Sequence, residues 1–309
     1  MSRLGIIADQ TDLIARHLAR VASDRGHSTT FLPLDGPVPI AYDGEGWLIG
    51  GADPAEFDGF FVRRYPAPTA KLFEDSATPA GALIWEAAKQ QLERSQLATS
   101  CLWDLERQKK RFVNPPSVTA GLDMKPLQLA MLRQAGVPLP RTLITNFPPA
   151  VRAFERDLPE VVAKPLSGGA EARLLGAVDD QTLAGIQDSP TIFQERIAGA
   201  DIRVTVVDEE ILSAVEIASS TLDYRSGAAY RAGQAEYRPH ALPGEIAELC
   251  RRVVRCLGHI LSGIDLKLQP DGSYVVLEAN SGPVYLDIEM KTHAPITEAI
   301  VRYLAGDQV

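Results

Sequence analysis

The chain has 309 residues, 45% hydrophobic and 23% charged, enough for two or three lobes that each bury a core, and no tract has a disordered composition. The formal net charge of −9 argues against a general nucleic-acid binder, since the one dense basic run, residues 107–111 (RQKKR), is short and reads as a solvated helix end or a strand approach. No stretch reaches the length of a membrane span, no signal-peptide pattern opens the chain, and its three cysteines form neither a disulfide framework nor a metal-ligand pattern; a soluble, reducing, cytoplasmic setting is expected.

Residues 4–8 (LGIIA) read as a buried strand, followed by a helix whose apolar positions include Leu13, Ile14, Leu18 and Val21 and which Gly26 can end. Strands at 28–32 and 60–62 follow, the latter leading to Arg63 and Arg64, so the first lobe is a small α/β unit with a mainly parallel sheet. A Rossmann domain would need a glycine-rich turn after the first strand, and none is there. A long helical region covers 79–99, and Asn114, Pro115 and Pro116 mark a break between lobes. Residues 123–134 suggest a helix with Leu127, Met131 and Leu132 on its apolar face, ended by Gly136 and the segment VPLP. Short strands at 142–145, 161–164 and 191–194, with a helix at 150–156, make a middle section. Strands at 202–207 and 211–217, joined by an acidic turn, begin a strand-rich final third. A helix at 245–257, which holds Cys250 and Cys256 as packed thiols, precedes strands at 264–268 and 274–277 joined by Asp271-Gly272, a strong hairpin signal. The fold class is α/β with mixed α+β lobes.

Chemistry concentrates in the final third. Asp265 stands inside the first strand of the late hairpin, and Glu278 and Asn280, one residue apart, follow the apolar core of the second. Both of the latter can point to one side of an extended chain, and hairpin pairing can bring Asp265 near them. Two carboxylates and an amide oxygen are hard ligands of the kind magnesium prefers; a solvated hairpin end is the competing reading. Lys164 ends the strand VVAK ahead of Pro165, Leu166, Ser167, Gly168 and Gly169, where a lysine can bind phosphate and a glycine-containing loop can supply backbone donors. The order of lysine and glycines is not that of a Walker loop, and an exposed lysine before an ordinary turn is the plainer account. Gln194, Glu195, Arg196 and Ile197 lead to a turn at Gly199, after which Asp201 and Arg203 share one side of a strand. That crossing could set backbone groups on adenine, Asp201 near ribose and Arg203 on phosphate, or Glu195 and Arg196 could be surface charges. Arg225, in Asp223-Tyr224-Arg225, could clamp a carboxylate or acyl phosphate, or close a loop salt bridge. Arg63 and Arg64 could meet an acidic substrate or a subunit.

Taken in order, Lys125 ahead of LQLAMLRQAGVPLPRT, Lys164-Pro165, QERI, DIR, DYR, GIDLK and LEANSG run over about half of the chain. With these the sequence resembles ATP-grasp enzymes of the ribosomal S6 modification and glutamate-ligase branch. VRRYP and TLITNFP further resemble the microviridin-type, or graspetide, maturases that install omega-ester and omega-amide links in peptides. Glu216 and Ile217 stand where glutamate ligases commonly carry a basic residue, and Gly227 in DYRSG stands where they carry asparagine; both departures turn the resemblance toward the peptide maturases.

The resemblance implies an ATP-grasp fold in three lobes, an N-terminal lobe 1–115, a central lobe 116–192 and a C-terminal lobe 193–309, with ATP between the central and C-terminal ones. Lys125 and Lys164 would contact its phosphates, Gln194, Glu195, Arg196 and Ile197 would form the adenine hinge, and Asp201 would face the ribose. Asp265, Glu278 and Asn280 would hold Mg2+, Arg203 and Arg225 would sit at the phosphoryl and acyl-phosphate region, and Gly168 and Gly169 would belong to a lid. The implied reaction phosphorylates a carboxylate with ATP, forms ADP, and lets a nucleophile displace phosphate. Its substrate would be a peptide, including a leader-bearing precursor peptide, or a small carboxylate; no nucleic acid or membrane partner is implied, and a homodimer is plausible. An intermolecular amino-acid or small-molecule carboxylate–amine ligase and a nucleotide-binding regulatory or scaffold protein without turnover are the other readings. His17, His27, His240, His259 and His293 form no zinc motif and read as structural, with His293 alone placed to approach a substrate.

Overall fold

The structure, a computed structural model, describes residues 1–34, 38–63, 81–122, 124–166, 172–177, 179–218 and 235–307. They form two compact units, one of residues 1–120, 259–261 and 295–309, the other of residues 121–258 and 262–294.

In the first unit, β1 (Arg3–Ile7) leads into α1 (Leu13–Asp24), whose N-cap Asp12 accepts a hydrogen bond from the Ala15 N–H. Ile14 and Leu18 are buried as their spacing predicts, but Leu13, expected on the apolar face, is exposed in the first turn. Gly26, at φ +82°, ends the helix, and β2 (Ser28–Phe31) pairs with β1 in parallel. A short hairpin of β3 (Ile40–Tyr42) and β4 (Trp47–Ile49) precedes β5 (Gly59–Val62), α2 (Gly81–Arg107), β6 (Arg111–Val113) and α3 (Pro116–Leu122). The sheet order is β2-β1-β5-β6, parallel throughout, as expected of a small α/β lobe. Helix α2 runs eight residues beyond the expected end at 99 because Ala98, Cys101, Leu102 and Leu105 continue the helical apolar spacing into the core.

The basic run at 107–111 is a helix end and a strand start. Lys110 donates to the carbonyls of Ala55 and Phe57 at 2.5 and 2.8 Å, a structural use of its charge. The expected break at Asn114 is a buried pin: its side chain accepts from the Ile260 and Leu261 N–H groups at 2.6 and 2.8 Å and donates to the Leu261 carbonyl at 2.7 Å. Beside it, burial pushes the His259 imidazole down to about 4.

The second unit begins with α4 (Lys125–Gln134), β7 (Thr142–Thr145), α5 (Pro148–Arg156), β8 (Val161–Pro165), β9 (Arg173–Leu174), α6 (Asp180–Ala184) and β10 (Thr191–Glu195). Its first sheet is antiparallel, in the order β7-β10-β8-β9, with Val161, Phe193 and Val151 in a core beneath it. The lobe boundary expected between 192 and 193 falls inside β10. Next come β11 (Ala200–Val207), β12 (Glu210–Ile217), β13 (Tyr237–Pro239), α7 (Gly244–Leu257), β14 (Leu261–Leu268), β15 (Tyr274–Asn280) and α8 (Leu286–Thr292). Helix α9 (Ile296–Ala305) belongs to the first unit.

The second sheet has the order β13-β12-β11-β14-β15. The acidic turn between β11 and β12 places Asp208 and Glu209 at φ +48° and +64°, the left-handed pair that a two-residue hairpin loop requires. Ile202, Val204 and Val206 of β11, Ile264 and Leu266 of β14, and Val276 of β15 face a core shared with α7. Alternation therefore sends Asp201, Arg203, Gly263, Asp265 and Lys267 to the opposite face.

The buried His259 gives a pH test. Its folded-state value lies below the ordinary 6.5, so the neutral form is favoured in the native state and the unfolded chain takes up the proton first. Stability is full above about pH 6.5 and falls as pH drops toward 4. Urea unfolding at pH 7 and pH 5 should show a loss of about 2 kcal/mol from this residue, and His259→Gln should lack that part of the pH dependence.

Candidate functional site

In the β14–β15 ladder Gly263 pairs with Asn280 and Asp265 with Glu278, but Leu266 then pairs with Val276, leaving Leu277 as the extra residue of a bulge. The bulge decides the site. Without it, Glu278 and Asn280 would share the core face of Tyr274 and Val276. With it, Ala279 enters the core while Glu278 and Asn280 turn to the face of Asp265.

Asp265 and Glu278 then sit directly opposite each other, a like-charge pairing that is unfavourable in a sheet unless cations balance it. Arg203 Nη1 donates to Asp265 Oδ1 at 2.6 Å, with both side chains only 7% exposed. Lys125 Nζ lies 3.6 Å from Glu278 Oε2, and Asn280 Nδ2 donates to Glu278 Oε1 at 3.2 Å. The structure thus brings together five of the residues singled out in the sequence: Lys125, Arg203, Asp265, Glu278 and Asn280. Among the described residues no group of three or more His, Cys, Asp and Glu side chains is placed to hold a metal. The donors on this face that could hold a metal are the two carboxylates and the Asn280 amide oxygen, hard groups of the kind that suits magnesium.

Helix α4 is fixed to β15 by a residue that motif reading passed over. Buried Gln128 donates from Nε2 to the Ala279 carbonyl at 2.8 Å and accepts from the Ala279 N–H at 3.1 Å. The Val276 N–H donates to Pro138 O at 2.9 Å, so the VPLP segment after the helix is tied to the same strand. Lys125 lies one turn before Gln128, which holds its ammonium beside Glu278. A glutamine within the otherwise apolar LQLAML was the available signal. Leu127, expected on the apolar face of α4, is exposed.

Further along the face, Lys267 donates to Gly199 O at 3.3 Å and forms an ion pair with Asp201 at 2.8 Å. Asp201 also lines a cavity of about 460 Å³ with Gly199, Glu216, Ile217 and Arg238. In the other sheet of this unit, Lys164 pairs with Ile192 and Gln194 with Val162, on the face opposite the core of Val161 and Phe193. Gln194 donates from Nε2 to Thr142 Oγ1 at 3.1 Å. The N–H groups of Glu195 and Arg196 donate to Arg141 O and Glu160 O, and the Arg196 side chain is in an exposed pair with Glu160 at 2.6 Å. Ile197 is half-buried just past the strand.

Arg225, Asp223, Arg64 and the glycines at 168 and 169 lie outside the described residues. Arg63 meets Asp12 at 3.3 Å, a pairing within the first unit. His293 closes α8 at φ +58°, with its N–H on the Glu289 carbonyl. Burial pushes the Cys101 and Cys250 thiols up to about 12 and raises that of Cys256, which suits packing and not nucleophilic chemistry. No helix among the described residues is long and apolar enough to cross a membrane.

A parallel α/β unit followed by a unit of two antiparallel sheets, with lysines and a carboxylate–amide cluster on sheet faces, is the architecture of ATP-grasp proteins. The RimK-like ATP-grasp domain model matches residues 123–304, and the chain belongs to that family. The fold extends over the whole length. The ATP-grasp ligase PsnB, solved in complex with a minimal precursor, matches at a TM-score of 0.84 and 26% identity, covering 99% of both chains. Macrocyclase MdnC from Microcystis aeruginosa MRC, solved with precursor peptide MdnA, shares the fold at a TM-score of 0.79, 22% identity and coverage of 99% of this chain and 100% of its own. A D-alanine–D-alanine ligase of Geotalea uraniireducens (strain Rf4) is 26% identical over 157 residues, which is 46% of this chain and 49% of that protein. The chain spans about half the length of the first curated relatives it matches.

Replacing Gln128 with leucine removes both partners of the Ala279 peptide at a buried position. Denaturant unfolding should report a loss of about 2–4 kcal/mol, larger than for the exposed neighbour Leu127→Gln.

Proposed function

We propose that the protein is an ATP-dependent, ADP-forming carboxylate ligase that closes side-chain ester or amide links within a ribosomally made precursor peptide. The observation that carries this reading is the cluster of Asp265, Glu278 and Asn280, balanced by Arg203 and Lys125, on one sheet face of a RimK-like ATP-grasp domain. Peptide as substrate is supported by likeness over nearly the whole chain to PsnB, which has been captured with a precursor, and with Mg and ADP.

In the reaction, a peptide carboxylate oxygen attacks the γ-phosphorus of ATP and ADP leaves. A hydroxyl or amine of the same peptide then attacks the acyl carbon and phosphate departs, for a net loss of water from the peptide. A carboxylate has no adequate leaving group until it is phosphorylated, so the first step makes the second feasible. Magnesium, held by Asp265, Glu278 and the Asn280 amide oxygen, supplies charge neutralisation at the phosphates. Arg203 turns from Asp265 toward the transferring phosphoryl group, and Lys125 and Lys164 hold the phosphate chain. Gln194 to Ile197 receive adenine, and Asp201, oriented by Lys267, faces the ribose. Arg225 acts on the acyl phosphate, and the site must exclude water, which would otherwise consume the intermediate. In this reading the two sheets of the second unit are the central and C-terminal lobes, a leader segment of the precursor is bound apart from the modified residues, and a cytoplasmic homodimer is the working form. The matched D-alanine–D-alanine ligases support a second reading, an intermolecular amino-acid or small-molecule carboxylate–amine ligase.

Accurate-mass analysis of candidate peptides and metabolites, incubated with enzyme, ATP and magnesium while ADP is followed, separates the two. Loss of water from one peptide is expected; a product equal to two substrates less water establishes the intermolecular ligase instead. ATP binding without any substrate-dependent ADP release would make the protein a nucleotide-binding regulator. On the protein itself, Asn280→Ala should impair magnesium-dependent ADP formation by at least about 10-fold with little change in thermal stability, and full turnover would remove Asn280 from the metal site. Lys164→Met should raise the KM for ATP, and unchanged ATP affinity and rate would remove Lys164 from the site.

A further inference from the structure

Gly263 lies in the middle of β14, paired with Asn280 and two residues before Asp265 on the same face. A glycine in a strand interior weakens the strand and packs nothing, so its presence calls for a reason. Backbone conformation does not supply one, because Gly263 is not among the glycines with positive φ. Space does. A Cβ built at this position would stand 2.5 Å from Nη2, 2.6 Å from Cζ and 2.8 Å from Nε of Arg203. The guanidinium occupies the space that a side chain at 263 would fill, and from there Nη1 reaches Asp265 at 2.6 Å.

We infer that Gly263 is a positioning residue of the ligase: the missing side chain makes the floor on which the Arg203 guanidinium rests, setting its height above the sheet and its reach to Asp265 and to the phosphates of ATP. The inference rests on the phosphate role proposed for Arg203 and adds the residue that fixes its geometry. A methyl group at 263 cannot coexist with the guanidinium where it lies. The head of a long side chain moves more readily than the sheet beneath it, so an alanine here displaces Arg203 and leaves the fold in place. The substitution should therefore act on phosphate recognition and barely on stability. An Arg203 held an ångström off its position is enough to matter at a transferring phosphoryl group.

The test is a double-mutant cycle read by calorimetric binding of the magnesium complex of AMPPNP, with AMP as the control ligand, to wild type, G263A, R203M and G263A/R203M. G263A should weaken AMPPNP binding about 10-fold and leave AMP binding unchanged, and the double variant should bind no more weakly than R203M, because the clash vanishes with the guanidinium. A loss of AMP affinity equal to that of AMPPNP would indicate a general structural defect and overturn the inference. So would wild-type AMPPNP binding by G263A, or losses that multiply in the double variant. If G263A fails to fold, G263A/R203M must fold as R203M does, and a double variant that is also unfolded refutes the proposed clash. R203M binding AMPPNP like wild type refutes the phosphate role itself; R203M weakened with G263A unaffected refutes only the role of Gly263.

Discussion

The single extra residue in β15 governs the face on which this site is built. Strict alternation from Tyr274 and Val276, both in the core, would carry Glu278 and Asn280 into that core, where an unpaired carboxylate costs several kcal/mol. Leu277 absorbs the mismatch. After it the small Ala279 takes the core position, Glu278 comes opposite Asp265, and Asn280 comes opposite Gly263. The clamp of Gln128 on the Ala279 peptide and the bond from Val276 to Pro138 hold the strand on both sides of the bulge. Through these bonds α4, with Lys125 in its first turn, is tied to the same short stretch of chain. The register of the hairpin thus couples Glu278 and Asn280 of one strand to a cation on a helix more than a hundred residues earlier in sequence.

Much of this was legible from sequence, and what was not has a physical reason. The strand and helix positions follow from hydrophobic period and from turn residues such as Gly26 and Asp271-Gly272, signals confined to a few neighbours. The grouping of Asp265, Glu278 and Asn280 was readable because a hairpin and an i, i+2 spacing leave few alternatives. The face they occupy was not readable, since a bulge leaves no mark in residue type; Leu277 is one more apolar residue in YVVL. Gln128 escaped notice for a related reason. Its partner is a main-chain peptide 151 residues away, and main-chain groups have no sequence signature. Exposure of Leu13 and Leu127, against expectation, shows that helical phase alone does not set how wide a buried stripe is. Arg63, read as a contact for an acidic substrate or subunit, has the capping Asp12 as its partner, a long-range contact that local pattern cannot show.

In the proposed function an acidic protein binds an anionic nucleotide, and the charges of the cluster bear on how. A net charge of −9 sets a generally repulsive field for ATP, so the local balance must be different. In the cluster, two carboxylates face two cations: Arg203 on Asp265 and Lys125 on Glu278. That balance lets directly opposed carboxylates persist in a sheet with little exposure to water. A buried ion pair of this kind contributes little net stability compared with apolar side chains of similar volume, so stability alone does not account for it. Under the proposed function the pair serves exchange: Asp265 and Glu278 would take a divalent cation, and Arg203 and Lys125 would turn to phosphate oxygens. Desolvation of the ionised groups would then be met when the chain folds, not when the ligand binds, which would leave more of the interaction energy with the nucleotide to appear as affinity. The geometry that such an exchange requires is narrow: Arg203 must lie low enough over Gly263 to reach Asp265 and must remain mobile enough at its tip to leave it.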